Sequence, residues 1–395
     1  MRRFIFLLLL VGLTQSCQQD QVLSSAIAQI EAVRSQFAPD KRVALLNLEP
    51  KMQAGQLVIT GETNLPVALD SLTNRFNQLG LSPKMEVRLL PDTSLQGEIY
   101  GIVRPSAANL RSKPGHSEEL ATQATLGTPL HILKEENHWY LVQTPDGYLA
   151  WLDPGGMVPM TETAFQQWQS AAKVVYLPDF GFALAQPQEE AVRISDLLAG
   201  NILLDLGQEA GYAKVGYPDG RVGFVPSDAV MPYQEWLDSR NPTVEQIITT
   251  AKTMMGRPYL WGGTSGKAMD CSGFTKTTFY LNGLLLPRDA SQQVHTGVEI
   301  PTDSTLTNLQ AGDLLFFGRK ATAEQKEKIT HVGIYLGNGR MIHSGASNGG
   351  IRIESLRPGD PDFAEDRLSS LVKAKRILDQ PGENGVRWLR DLWGY

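Results

Sequence analysis

The first pattern along the chain is a short apolar run from Phe4 to Leu13, which follows Arg2 and Arg3. Ten residues are too few to cross a membrane as a helix, so the run predicts an export signal. No later apolar stretch approaches membrane-spanning length. We therefore expect an exported protein with a folded body outside the cytoplasm.

Residues 20–97 alternate between helical and strand-like patterns. Val22, Ala26, Ile30 and Val33 recur at close to helical spacing, and a second helical pattern covers 65–79 between short strand-like runs. Nothing in this segment clusters acids, histidines or glycines in a catalytic way. We expect a small α+β unit with a structural or positioning role.

An internal repeat follows, in which short strand-like runs are separated by turn residues. Gly127 and Asp146 recur 73 residues later as Gly200 and Asp219, and the neighbouring apolar positions recur in the same register. Asp-Gly between alternating apolar residues is a strong hairpin signal. The pattern predicts two small β-barrels, at 98–160 and 171–232.

The pattern changes again after residue 240. Pro242-Thr243 predicts a helix start, and a second helix is predicted to begin at Cys271, after the Gly262-Gly263 turn. Farther on, Gly337-Asn338-Gly339 predicts a hairpin between two strands. This last region therefore combines helices with an antiparallel sheet.

Composition narrows the class of protein. The 395 residues are 42% apolar and 20% charged, which is ordinary for folded domains, and the length allows two or three of them besides the repeats. A net charge of −6 with scattered Lys and Arg lacks the basic footprint of nucleic-acid binding. We therefore exclude a largely disordered protein and a nucleic-acid-binding protein.

Cys271 is the main chemical candidate, because Cys17 is the chain's only other cysteine and lies at the end of the predicted signal. An unpaired thiol is unusual in an exported protein and suggests reactivity. At a helix N-terminus, the backbone N–H groups and the helix dipole would favour the nucleophilic thiolate. A buried, inert cysteine is the alternative.

A thiolate nucleophile needs a base, and His331 and His343 are the best-placed histidines. They are 12 residues apart across the predicted hairpin, an even separation that can bring both to one face of the sheet. One imidazole could then activate Cys271 while the other orients the first. They could instead be ordinary strand residues, or a zinc set, which lacks a third ligand at a typical spacing.

These motifs together resemble known families. "DCSGF", "GDLLFF", "HVGIYLGNG" and "IHSG" resemble the NlpC/p60 cysteine peptidases, whereas "ANLRSKPG", "HWYLV" and "DGYLAW" resemble bacterial SH3-like domains. The implied fold class is α+β: a papain-like domain, with the cysteine helix on an antiparallel sheet, preceded by two SH3-like β-barrels and the small α+β unit. The predicted order is a signal at 1–17, an α+β domain at 20–97, SH3-like domains at 98–160 and 171–232, a peptidase domain at 241–378 and a tail at 379–395.

The resemblance implies a γ-D-glutamyl-L-diamino-acid endopeptidase acting on peptidoglycan stem peptides with a free N-terminal L-Ala. It assigns Cys271 as nucleophile, His331 as general base, His343 as the orienting residue and Tyr259 as a residue near the oxyanion. The implied substrate contacts are Asp270, Ser272, Glu119, Tyr148 and Asp289, with Glu118 as an alternative to Glu119. No metal or other cofactor is implied.

The leader resembles a bacterial lipoprotein signal that ends at Cys17, the implied lipidation site. The expected partners are stem peptides or released muropeptides and the membrane through this anchor, facing the periplasm, with a monomeric chain and no nucleic acid. A related Cys-His amidase or acyltransferase, and an inactive wall-binding lipoprotein, remain the alternatives. Trp388, Leu389, Leu392 and Trp393 in the tail predict an apolar face that docks on the body.

Overall fold

The structure is a computed structural model that describes residues 2–303, 305–347 and 349–391, with side chains from residue 18 onward. It divides into two compact units, Met1–Gly97 with Leu133–Glu135 and Glu98–Ile132 with Glu136–Tyr395. The side chain of Cys17 and the tail residues Leu392 and Trp393 lie outside the described residues. Across the described ranges, no helix is both long and apolar enough to cross a membrane.

The first unit packs two helices on a three-stranded sheet. Its elements are α1 (Arg2–Phe37), β1 (Leu46–Gln53), β2 (Gln56–Thr63), α2 (Pro66–Gln78) and β3 (Lys84–Leu89). β2 is central, antiparallel to β1 and parallel to β3. Ala26, Ile30 and Val33 are buried on one side of α1, because their helical spacing places them on the face that meets α2 and the sheet.

Two seven-stranded sheets begin the second unit. The strands of the first sheet are β4 (Tyr100–Val103), β5 (Ala107–Arg111), β6 (Leu120–Thr125), β7 (Pro129–Glu136), β8 (Trp139–Gln143), β9 (Leu149–Leu152) and β10 (Met157–Met160). After α3 (Glu162–Ser170), the second sheet comprises β11 (Lys173–Tyr176), β12 (Phe180–Leu184), β13 (Arg193–Leu198), β14 (Ile202–Glu209), β15 (Tyr212–Gly216), β16 (Val222–Pro226) and β17 (Val230–Pro232).

The two sheets have the same topology, which confirms the internal repeat. The order β10-β4-β7-β8-β9-β5-β6 in the first corresponds strand by strand to β17-β11-β14-β15-β16-β12-β13 in the second. Gly127 and Gly200 both adopt positive φ, 84° and 85°, at equivalent turns. The strand order of each sheet is open, whereas the sequence predicts closed barrels.

The remaining elements form the last α+β region. They are α4 (Tyr233–Asp238), α5 (Val244–Thr253), β18 (Thr264–Ser265), β19 (Ala268–Met269), α6 (Cys271–Tyr280), β20 (Leu284–Leu285), α7 (Ala290–Gln293), β21 (Val298–Ile300), β22 (Leu314–Arg319), β23 (Lys328–Gly337), β24 (Arg340–Gly345), β25 (Gly350–Ser355), α8 (Glu365–Ser369), β26 (Leu371–Arg376) and β27 (Arg387–Trp388). The sheet has the order β21-β26-β22-β23-β24-β25, and its paired strands are antiparallel.

Helix α6 packs against β23 and β24, through a core that includes Phe274, Val332 and Ile342. A helix that carries the candidate cysteine on an antiparallel sheet is the arrangement that the sequence predicts. The α+β fold class is thereby confirmed.

The described part of the C-terminal tail docks on the body, as predicted. Trp388 pairs with Leu284 in the two-stranded ladder of β27 with β20. Leu389 is fully buried in a cluster with Trp236 and Leu285. Leu389 is therefore part of a buried core, and Trp388 packs against another.

Candidate active site

Local sequence explains why α6 begins at Cys271. The Asp270 side chain caps the helix by accepting a hydrogen bond from the backbone N–H of Gly273 at 2.7 Å. Gly273 has no side chain where the helix meets the preceding turn: an added Cβ would lie 1.9 Å from the carbonyl oxygen of Gly263. The motif "DCSGF" thus contains both the cap and the close contact that hold Cys271 in place.

The Cys271 side chain is buried and accepts hydrogen bonds from the backbone N–H groups of Val332 and Ser272. Burial, followed by the charge of Asp270, raises the pKa of the thiol to about 11. The sequence predicts that the helix N-terminus favours the thiolate. In the structure this effect is outweighed, so the sulfur keeps its proton at neutral pH until a base removes it.

His331 and His343 come together on one face of the β23–β24 hairpin, as their spacing predicts. His331 Nε2 lies 2.8 Å from His343 Nδ1, and the two rings are nearly perpendicular. Val332, which donates to the Cys271 sulfur, directly follows His331. Since Nε2 of His331 contacts His343, Nδ1 is the ring nitrogen that remains for Cys271.

Burial favours the neutral form of both imidazoles. Burial holds the pKa of His331 well below its usual value, and the charges of His343 and Arg367 act in the same direction. Burial, with Arg367 and Arg352, lowers the pKa of His343 to about 3. A neutral imidazole can accept a proton, so His331 has the protonation state that a general base requires.

A carboxylate that sequence reasoning missed extends this chain of contacts. Glu354 Oε2 lies 2.7 Å from His343 Nε2, and Arg352 donates a hydrogen bond to Glu354 Oε1. Arg352 is opposite His343 in the sheet, and Glu354 follows on the same face because strand side chains alternate. The alternation in "IRIES" was the available signal, but it required knowing that β25 pairs with β24.

Tyr259 is half-buried close to Cys271. Burial raises the pKa of its hydroxyl, and the charges of Cys271 and Asp270 raise it further. The hydroxyl is therefore protonated and can donate a hydrogen bond to a group held near Cys271.

Asp270 and Ser272, which flank the cysteine, form a buried network with Arg288, a residue that sequence reasoning missed. The guanidinium of Arg288 contacts both oxygens of Asp270, at 3.1 and 2.6 Å, and donates to Ser272 Oγ at 3.0 Å. Asp270 also accepts from Gly262 N and Ser272 Oγ. Its oxygens thus accept from several protein donors, which fix the carboxylate beside Cys271, and its contact with substrate stays a prediction.

The first seven-stranded sheet contributes residues beside this network. Trp261 Nε1 donates to Glu119 Oε1 at 2.7 Å, whereas the described hydrogen bonds of Glu118 use its backbone: its carbonyl oxygen accepts from Arg111, and its N–H donates to the Gly115 carbonyl oxygen. The hydroxyl of Tyr148 donates to Asp289 Oδ2 at 3.3 Å. Of the two candidate glutamates, Glu119 is therefore the one that contacts the turn before Cys271.

Further contacts connect that sheet to α6 and to the neighbouring strand β18. The backbone N–H of Gln123 donates to Thr264 Oγ1 at 3.0 Å, and Thr264 N donates to Gln123 Oε1 at 3.0 Å. Lys276, on α6, forms a buried ion pair of 2.6 Å with Asp146. Within the described residues, no group of three or more His, Cys, Asp or Glu side chains could hold a metal ion.

Comparison with known proteins agrees with this architecture. Residues 256–361 match the sequence profile of the NlpC/P60 family, and residues 106–157 match that of the bacterial SH3 domain. The chain is 34% identical over 245 residues to a gamma-D-glutamyl-L-lysine dipeptidyl-peptidase of Bacillus subtilis, covering 60% of this chain and 76% of the relative. It is 27% identical to dipeptidyl-peptidase 6 of Lysinibacillus sphaericus, covering 69% of this chain and 97% of the relative.

A solved structure shares the fold. The crystal structure of an NlpC/P60 family protein from Bacillus cereus superposes with a TM-score of 0.59 at 24% identity, covering 71% of this chain and 99% of that one. The profile match includes Cys271, His331 and His343, and the identity to the Bacillus subtilis relative extends well beyond that segment. The chain therefore belongs to the NlpC/P60 family of cysteine peptidases.

Proposed function

We propose that this protein hydrolyses the bond between D-Glu and the diamino acid of peptidoglycan stem peptides whose N-terminal L-Ala is free. Two observations support the reaction type. His331 contacts His343 and directly precedes Val332, whose N–H donates to the Cys271 sulfur, and the chain is similar to peptidases named for γ-D-glutamyl-L-lysine substrates. The SH3-like residues that border the cleft support the requirement for a free amine.

In the proposed reaction, His331 takes the proton of Cys271 as the sulfur attacks the γ-carbonyl carbon. Because the thiol pKa is about 11 and the His331 pKa is lowered, thiol and imidazole begin neutral, and the proton moves during attack. The C–N bond then breaks, and the departing amine takes the proton from His331. Water hydrolyses the thioester, with His331 again acting as base.

Tyr259 is the proposed donor to the oxyanion. Its hydroxyl keeps its proton because burial and the charges of Cys271 and Asp270 raise its pKa. A donor that is already in place stabilises the negative charge on the attacked carbonyl oxygen without further rearrangement. His343 orients His331 through the hydrogen bond of 2.8 Å between their rings.

The negative charge beside the cleft is the observation that carries the amine requirement. Glu119 and Asp289 are held beside the proposed cleft through Trp261 and Tyr148, and the Arg288 guanidinium, which lies 3.9 Å from Asp289, contacts both oxygens of Asp270. An ammonium group would complement the remaining negative charge. An acetylated amine could not form an ion pair with Glu119 or Asp289, which explains why a capped peptide would be rejected.

We further propose that the protein works in the cell envelope as a lipid-anchored monomer, with Cys17 as the acylated residue. The apolar leader and the peptidoglycan-derived substrate support this location. Metabolic labelling with a fatty-acid probe tests the anchor, since Cys17→Ser should lose the label. A wild-type chain that never acquires the label would refute it.

The deciding experiment compares L-Ala-γ-D-Glu-diamino-acid tripeptide with its N-acetyl form, using mass spectrometry to detect L-Ala-D-Glu. We expect cleavage of the free peptide alone and none by Cys271→Ala. Glu119→Gln should reduce the preference for the free amine by about tenfold or more, whereas the matched variant Glu118→Gln should leave it unchanged.

Each other outcome has a definite meaning. Cleavage of both peptides by the wild type would refute the amine requirement. Cleavage of neither, with Cys271 still labelled by iodoacetamide, would favour the amidase or acyltransferase alternative. Failure of Cys271 to label as well would favour an inactive wall-binding protein.

A further inference from the structure

Glu354 is the last member of a buried chain of side-chain contacts that begins at His331, the proposed base. It contacts Nε2 of His343, whose Nδ1 contacts Nε2 of His331. Glu354 and both histidines are buried. Each ring nitrogen between Glu354 and His331 therefore has a single defined partner.

We propose that the negative charge of Glu354 sets the tautomers of both histidines, and so acts as a positioning residue for the hydrolysis proposed above. An ionised carboxylate only accepts hydrogen bonds, so His343 must carry its proton on Nε2. Nδ1 of neutral His343 then accepts, so His331 donates from Nε2. Nδ1 of His331 is thereby left without a proton, which is the state needed to deprotonate Cys271.

Hydrogen-bond donation in the opposite direction, from Glu354 toward His331, would leave His331 unable to act as a base. If Glu354 were replaced by a donor, His343 would accept at Nε2 and donate from Nδ1, and His331 would accept at Nε2. His331 Nδ1 would then carry the proton and could not act as base. The negative charge of Glu354, which acts on the sulfur through two histidines, thus selects between an active and an inactive arrangement of protons.

The surroundings favour the charged form of Glu354 and the neutral form of the histidines. Arg352 donates to Glu354 Oε1, a charge-assisted contact that favours a carboxylate. Arg367 and Arg352 both disfavour an imidazolium at His343. Burial acts in the same direction on both rings.

The backbone limits the movement of His343, so that tautomer rather than ring orientation is the variable. An added Cβ at Gly333 would lie 3.1 Å from Cβ of His343, and one at Gly345 would lie 3.1 Å from its Cε1. Gly333 lies beside the Cβ of His343 and Gly345 beside its ring. A ring turned by 180° would place carbon atoms where its nitrogens now contact His331 and Glu354, so both hydrogen bonds would be lost.

The test uses the full chain with histidine labelled by ¹⁵N, and Asn variants of His331 and His343 to assign the ring signals. In the wild type we expect both rings to carry the proton on Nε2. A proton on His331 Nδ1 would overturn the inference, whatever the catalytic rate.

Glu354→Gln supplies the functional comparison, since it preserves shape while adding a donor. We expect the Nε2 proton of His343 to be lost in part and kcat to fall about 10²-fold with KM unchanged, as for groups that orient catalytic histidines. Glu354→Asp, which keeps the charge, should retain the wild-type tautomers and part of kcat. Wild-type kcat and tautomers in Glu354→Gln would overturn the inference.

Failure of this inference and failure of the proposed function are distinguishable. The ring signals are measured without substrate, so they report on Glu354 even if the tripeptide is not cleaved. Conversely, tripeptide cleavage that depends on Cys271 but not on Glu354 would preserve the proposed function alone. If Glu354→Gln does not fold, the wild-type and Glu354→Asp spectra still decide.

Discussion

Replacement of Arg288 by Met should destabilise the segment that presents the nucleophile. The guanidinium is 1% exposed and makes three hydrogen bonds, two to Asp270 and one to Ser272 Oγ. Met fills much of the same volume without a charge, so the carboxylate of Asp270 would be left buried with no cation beside it. Removing one member of a buried ion pair typically costs about 3–5 kcal/mol.

The remaining hydrogen bonds of Asp270 set the expected size of the destabilisation. Asp270 would keep its bonds from Gly262 N, Gly273 N and Ser272 Oγ, three neutral donors that partly compensate the charge. We therefore expect the lower end, about 3 kcal/mol, which corresponds to roughly a 10²-fold change in the opening equilibrium. The double variant Asp270→Asn with Arg288→Met should recover part of this loss, because the charge is then absent.

Hydrogen exchange is the suitable assay, because a chain with several domains need not unfold in one step. Mass spectrometry of the peptide covering α6 gives the free energy of its local opening. A loss below 1 kcal/mol in Arg288→Met would refute the reasoning. So would a double variant less stable than Arg288→Met, since the two residues would then not act as a pair.

Two other predictions concern the same helix and its base. Gly273→Ala should lower the free energy of unfolding by about 1–3 kcal/mol, because the added Cβ would lie 1.9 Å from the Gly263 carbonyl oxygen. The matched variant Gly266→Ala should change it little, since no atom would lie nearer than 3.6 Å to the added Cβ. Thermal melting compares the two variants, and equal melting temperatures would contradict the packing argument. As the proposed base, His331 loses its function when it is protonated, and its pKa is lowered. We therefore expect kcat/KM to persist as the pH falls below 6.5 and to decline only in more acidic solution. A pH–rate profile with its acid limb at or above 6.5 would contradict the assignment of His331 as the base.

The sequence predicted the part of the site whose geometry is local. His331 and His343 belong to one hairpin, and their even separation places them on one face because the register shifts by one residue between Tyr335 and Gly337. Asp270, Cys271 and Gly273 are consecutive or nearly so, and helix capping rules locate the cysteine at the start of α6. The 73-residue repeat likewise predicted two sheets of one topology, although not their open strand order.

Arg288 and Glu354 could not be found in this way. Charged side chains are usually exposed, and neither residue lies near Cys271 in the sequence. Their burial depends on the segment before α7 reaching the N-terminus of α6, and on β25 pairing with β24. Glu119 and Tyr148 posed a similar problem, since their neighbours Trp261 and Asp289 are more than 100 residues away along the chain.

The sequence alone determined the candidates for chemistry and their local setting: a thiol at a helix start, two histidines on one hairpin and repeated β units before them. These depend on turns, caps and side-chain alternation, which act over a few residues. The tertiary structure decided the protonation states, because the pKa values of Cys271 and His331 depend mainly on how completely distant strands exclude water. It also decided which buried charges face the histidines and the cleft, since those contacts exist only once the elements have packed.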